Sequence, residues 1–310
     1  MIARRALPAL LATPALAQSR PIRLVAPFPP GGGVDAVARL LAEPFGAALG
    51  QTVVVENRAG AGGAIGVEAV AQAAPDGTSL VMVSPGNMTV AAVLRPLPYE
   101  PLAMGMVARL CLSPLLLVAR NSLPAADLAA FIALLRREPD AVRFASGGVA
   151  TGTHMAGELL NLRVGARMVH VPYRGTAPAI TDLIAGNVDV FFSDTSAWPM
   201  AQQGLIRLLA VSTATRWAVS PTTPSMADAV PGFDVANWYG VVAPPATPEP
   251  VRLRQSEALA QVLARPDMQA ALLRQGFEAA HLPPAQLAEF IRAETGVWRG
   301  VVQAANIRAE

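Results

Sequence analysis

One unit recurs along the chain and limits what it can fold into: a short β-branched apolar run, a turn of small residues, then residues at helical spacing. It appears in IRLVAPFPPGGGVDAVARLL (22–41), TVVVENRAGAGGAIGVEAVAQAA (52–74) and SLVMVSPGNMTVAAVL (79–94). It returns in VRFASGGVATGTHMAGELL (142–160), ARMVHVPYRGTAPAITDLIAG (166–186) and VDVFFSDTSAW (188–198). Strands that alternate with helices at this spacing predict an α/β architecture with mainly parallel sheets, helices covering their faces. A chain of 310 residues exceeds what one core usually accommodates, so two lobes are expected.

The helical segments carry apolar stripes that read as core-facing surface. Val37, Leu40, Leu41, Phe45 and Ala48 form one, with Pro44 expected to kink or shorten the helix. Leu128, Phe131, Ile132 and Leu135 form a second, and Leu287, Phe290, Ile291, Trp298 and Val302 a third behind Pro283 and Pro284. Two extended apolar stretches, LSPLLLVARNS (112–122) and NWYGVVAPPATP (237–248), read as crossings between lobes. The first lobe would then combine 18–117 with 240–310, and the second would hold 118–239.

The N-terminus has an address of its own. Arg4 and Arg5 precede a short apolar run, and Ala15-Leu16-Ala17 is a small-x-small cleavage site, so residues 1–17 read as a secretory signal peptide cut after Ala17. Position 18 is Gln, which argues against a lipid anchor. The formal charge of +2 belongs to those two arginines; without them the signs balance, and no basic field for nucleic acid remains. Cys111 is the single cysteine, so no internal disulfide forms, and it reads as a small buried hydrophobe. No apolar run is long enough for a membrane helix. A soluble exported monomer is expected.

Candidate chemistry lies at the strand ends, where helices begin and free N–H groups converge. Gly31, Gly32 and Gly33 let backbone amides approach a ligand with no Cβ in the way, and Asp35 lies in the first helical turn. SGGVATGTH (146–154) repeats the device with Ser146, Thr151 and Thr153. Ser84, Asn87 and Thr89 mark a third strand end, and Tyr173 and Arg174 precede another helix. Four neutral strand ends rich in glycine and hydroxyls point to a small anion held by amides, hydroxyls and water.

Rival chemistries lack their residues. A Walker A loop needs lysine, and every basic residue here is arginine. GAGGAIG (60–66) nearly matches the dinucleotide fingerprint, but Ile65 stands where the third glycine belongs. His154, His170 and His281 show no metal-ligand spacing, and no G-x-S-x-G elbow occurs. Ser146 and His154 suggest a nucleophile and base, but no orienting acid accompanies them, so catalysis, cofactor and metal are not expected.

Taken in order, RLVAPFPPGGGVDAVARLLA, VVVENRAGAGGAIGVEAVAQAAPDG, HMAGELL, VHVPYRGTAPAITDLIAGNVDV, WYGVVAPPATP and FIRAETGVWRGVVQAANI resemble the tripartite tricarboxylate transporter receptors, the Bug or TctC-like proteins. The resemblance implies a two-lobed periplasmic-binding-protein fold (type II-like) with two crossing strands as hinge, closing on a small organic acid. It implies delivery of that acid to membrane permease subunits from the periplasm. First-lobe contacts carried over are Phe28, Pro29, Pro30, Gly31, Gly32, Gly33 and Asp35, with Ser84, Pro85, Gly86 and Asn87. Second-lobe contacts are Ser146, Gly147, Gly148, Thr151, His154, Tyr173 and Arg174, with Ser193 and Asp194. The chain departs from the family at Ala150-Thr151, where Gly-Ser is usual, and at LAMGMV (102–107), which replaces a Lys-Asp-Phe stretch. PDGTSL (75–80) stands where Tyr-Thr is usual. A sensor subunit presenting a carboxylate to a signalling partner fits the same pocket, and an α/β enzyme acting on a small acid is the weaker alternative.

Overall fold

The computed structural model describes residues 20–149 and 151–307, so the leader expected at 1–17 and the departure at Ala150 lie outside the described residues. β1 (Ile22–Ala26) leads into α1 (Gly33–Leu49), β2 (Val53–Asn57) into α2 (Ala64–Ala71), and β3 (Ser79–Val83) into the short α3 (Pro85–Met88) and α4 (Val90–Leu94). After β4 (Gly105–Pro114), β5 (Leu116–Ala119) and α5 (Leu128–Arg137) the unit resumes. β6 (Arg143–Ser146) precedes α6 (Gly152–Val164), β7 (Val169–Pro172) precedes α7 (Thr176–Ala185), and β8 (Val190–Ser193) precedes α8 (Trp198–Gln202). β9 (Arg207–Val211), β10 (Ala236–Ala243), α9 (Glu249–Leu263), α10 (Pro266–Arg274), β11 (Glu278–Leu282) and α11 (Pro284–Ala304) complete the chain.

The strands form two sheets, one in the order β11-β4-β10-β3-β1-β2 and the other β7-β6-β8-β5-β9. Both are mixed, yet mainly parallel in direction as expected: β1, β2, β3 and β4 run one way in the first sheet and β6, β7, β8 and β9 in the second, with β10, β11 and β5 opposed. β1 is parallel to β2 and β3, and β6 to β7 and β8, as strand-helix-strand units require. β10 is antiparallel to β3 and β4, and β5 to β8 and β9. The reason is connectivity: β5 and β10 each arrive from the other sheet, so they begin at the junction where β1, β3, β6 and β8 end.

The chain leaves the first sheet at Leu115 and rejoins it at Ala236, two and four residues before the limits drawn from sequence. One serine ties the two crossings together. Leu115 N donates to Ser212 Oγ at 2.8 Å, Ser212 Oγ donates to Val235 O at 2.5 Å, and Val235 N donates to Ser212 O at 2.9 Å.

α1 runs unbroken through Pro44 to Leu49 and stops at Gly50, whose φ is 68°. Pro44 forfeits one intrahelical bond, yet Leu41 before it and Phe45 and Leu49 after it stay buried on the first sheet, and that packing lets the helix continue past it. α5 begins where Asp127 accepts from Ala130 N at 2.8 Å, and its predicted stripe is buried. α11 serves both lobes. Leu287 and Ile291 join the core of the first sheet, whereas Trp298 and Val301 join that of the second.

Candidate functional site

Between the sheets lies a cleft of about 850 Å³, lined by the ends of β1, β3, β6, β7 and β8 and floored by the crossings. α1, α6 and α7 present their N-terminal turns to it, through Gly33 and Val34, Gly152 and Thr153, and Thr176. Each turn carries unsatisfied N–H groups and the positive end of a helix dipole, so the cleft is built to receive negative charge.

The loop between β1 and α1 is shaped by Asp35. Its carboxylate accepts from Gly31 N at 3.0 Å, from Arg39 Nε at 3.0 Å and from Asn57 Nδ2 at 2.8 Å. Asn57 Nδ2 also donates to Phe28 O at 3.2 Å, which pins the other end of the loop. The hydrogen bond from Arg39, with those from Gly31 and Asn57, overcomes burial and lowers the Asp35 carboxyl to about 2. Gly31 takes a φ of 88°, a left-handed turn suited to glycine. No side chain caps α1, so the amides following Gly32 stay available. Gly33 is needed for another reason: a Cβ there would lie 2.6 Å from Tyr239 Oη. Tyr239 is buried, its phenol is raised by desolvation, and its oxygen accepts from Asn237 Nδ2 at 3.3 Å, leaving its own proton to donate into the cleft.

At the end of β3, Asn87 Oδ1 accepts from Ser84 N at 2.9 Å, and Tyr99 donates to Asn87 O at 2.6 Å. The Asn87 amide nitrogen is buried without an acceptor among the described residues. In the second lobe, Thr153 Oγ1 accepts from Gly147 N at 2.9 Å, and Thr151 Oγ1 donates to Gly148 O at 2.7 Å. Gly175 N donates to Gly147 O at 3.1 Å, joining this loop to the start of α7. Asp194 accepts from Thr176 Oγ1 at 2.8 Å and from Ser196 N at 3.0 Å.

Of the residues singled out from sequence, Phe28, Pro29, Pro30, Gly32, Gly33, Ser84, Pro85, Gly86, Gly147, Thr151 and Asp194 line the cleft. Gly31, Asp35, Asn87, Ser146 and Gly148 stand behind that surface as its supports. Ser146 Oγ accepts from Gly148 N at 3.1 Å and lies 2.6 Å from His170 Nε2. His154, which sequence had set beside Ser146, instead stacks on the half-buried His170 with ring centroids 3.8 Å apart, in a layer with the buried Phe144. Ser146 and Ser193 are wholly buried, so neither hydroxyl reaches the cleft surface. Tyr173 turns to its own helix and donates to Asp182 Oδ2 at 2.7 Å, while Arg174 is exposed outside the lining. Their neighbours Gly175 and Thr176 take the place at the cleft, because the amides that matter follow the N-cap.

Sequence reasoning did not single out Arg95, Leu115, Val235, Asn237, Tyr239 or Trp298 as cleft residues. The first follows a helix, and the others sit on crossings or on α11, away from the strand-end turns where ligand contacts were expected.

The model of the tripartite tricarboxylate transporter family receptor matches residues 37–307. The chain belongs to this receptor family. The UPF0065 protein in the tcbD-tcbE intergenic region of Pseudomonas sp. (strain P51) is 37% identical over 92% of this chain and 86% of its own. Protein BugT of Bordetella pertussis is 36% identical over 92% and 89%. Among solved structures, the periplasmic binding protein BugD superposes with a TM-score of 0.77 at 31% identity, covering 94% of this chain and 99% of its own. R. palustris Rpa4515 with adipate gives 0.81 at 31%, covering 94% and 98%. MatC from Rhodopseudomonas palustris with bound malate gives 0.75 at 33%, covering 91% and 98%. The two-lobed α/β fold is thus that of the family's periplasmic binding proteins, which are receptors.

Two titratable groups of this family receptor lie close behind the cleft. Glu294 on α11 is half-buried, and desolvation of its carboxyl raises it to about 7, although Thr89 Oγ1 at 2.8 Å and Trp238 Nε1 at 2.9 Å both donate to it. His170 is lowered to about 4 by burial and by the neighbouring His154.

Proposed function

We propose that the chain is an exported receptor that captures a small organic carboxylate between its two lobes and passes it to membrane permease subunits. The observation that supports this reading is the convergence of three helix N-terminal turns from two sheets on one cleft. A carboxylate there exchanges its water for amide donors and favourable helix dipoles from both lobes at once. Because α1 belongs to one lobe and α6 and α7 to the other, the acid gains contacts only when the lobes approach, and so favours a closed form. The adipate and malate named with two neighbours are both carboxylates, consistent with this class. Residues 1–17 serve as the export signal and the mature receptor acts as a monomer, without catalysis.

A thermal-shift screen of the secreted protein, its intact mass beginning at Gln18, tests the reading. A carboxylate at 100 times its dissociation constant adds about 2.7 kcal/mol of stability. No shift with any mono-, di- or tricarboxylate would sink the receptor reading.

A further inference from the structure

We infer that the acid this receptor takes has an apolar body, a ring or an alkyl chain, which lies on the hinge-side floor of the cleft. The inference rests on the carboxylate-receptor reading above. The cleft is chemically divided. Its amide- and hydroxyl-bearing residues stand at the strand ends, whereas the floor is formed by Ala91, Leu94, Leu115, Val235 and Trp298. Leu115, Val235 and Trp298 are each 3% exposed and belong to one continuous core, against which Leu94 packs. The floor is therefore the outer surface of a packed hydrophobic cluster, held in register by the Ser212 bonds to Leu115 and Val235.

Polar atoms that would pair with a hydroxylated ligand body are missing from the four aliphatic side chains, and Trp298 offers one indole N–H, which is buried. The polar side chains beside the floor are Asn237 and Tyr239, which bond to each other near Gly33, at the carboxylate end. The charged side chains among the lining residues each have a protein partner, although Arg95 commits only one of its five N–H donors among the described residues. Arg95 donates to Ala61 O at 2.7 Å, and Asp194 is held by Thr176 and Ser196. A hydroxy acid laid on this floor would lose water from its hydroxyls with no replacement partner among the floor's own side chains. A methylene buried there is worth about fourfold in affinity, so a six-carbon body outweighs a two-carbon one by well over tenfold. The 850 Å³ of the cleft leaves room for such a body beyond the carboxylate.

Isothermal titration of the mature protein with phenylacetate, hexanoate, succinate and malate decides the matter. Phenylacetate or hexanoate should bind at least tenfold more tightly than succinate and malate. Leu94→Gln, at a half-buried helix end, should weaken binding of the apolar acid at least fivefold. Succinate or malate binding as tightly as both apolar acids would overturn the inference while leaving the receptor reading intact. An unchanged affinity in Leu94→Gln would overturn the floor as the contact. Failure of all four acids to bind folded protein would overturn the inference, and the receptor reading would fall with it only if the wider thermal screen were blank too.

Discussion

Glu294 is the residue whose environment most conflicts with its chemistry. Its carboxyl titrates near 4.5 when exposed and near 7 in the fold, so the native state holds a proton that the unfolded chain has released between those values. Stability from this group is fully present below about 4.5 and is lost as pH rises through 7. A shift of this size corresponds to roughly 3 kcal/mol over the whole range, most of it lost between pH 5 and 8. His170 acts in the opposite sense: depressed to about 4, it withdraws stability as pH falls from 6.5 towards 4. Comparison with Glu294→Gln isolates the first effect, because glutamine can still accept from Thr89 and Trp238. Denaturant unfolding from pH 5 to 8 should show the parent losing about 2 kcal/mol more than the variant. Parallel profiles would mean that Glu294 is not protonated in the fold. Nothing in the sequence around ETGVW marks this glutamate, since its burial is set by Thr89 and Trp238, far away in the chain.

At the scale of the element, α1 and the loop before it carry the binding claim. Gly32 is the N-cap, with φ at −82°, and a Cβ added there would meet nothing nearer than Pro29 O at 3.9 Å, so the fold has room for a side chain. An aspartate there would cap the helix and occupy the amides meant for the ligand, serving as an internal carboxylate. Gly32→Asp should keep stability or raise it by about a few tenths of a kcal/mol, and reduce carboxylate affinity at least a hundredfold in calorimetry. Full affinity would place the carboxylate elsewhere. The strand-turn-helix units and this glycine loop were legible because local residues decide them: β-branched runs, glycine turns and helical stripes. The reversed directions of β5 and β10 were not, because these strands take theirs from the sheet they have just left. The same limit hid half of the cleft. Tyr239 and Trp298 enter it only through long-range packing, while Tyr173 and Arg174, next to a true cleft turn, lie outside its lining.

At the scale of the whole molecule, two sheets share a floor stapled by Ser212 and a helix, α11, whose two ends lie in different cores. Capture between the lobes, as proposed, requires them to approach while these crossings remain bonded. The helix termini that face each other across the cleft repel without an anion and are bridged with one, so ligand and closure stabilise each other. Small-angle X-ray scattering of the mature protein, with and without a saturating carboxylate chosen from the thermal screen, measures this directly. The radius of gyration should fall on saturation, and Gly32→Asp should show no ligand-dependent change. A radius that stays constant while calorimetry shows full occupancy would contradict a clamp formed by both lobes.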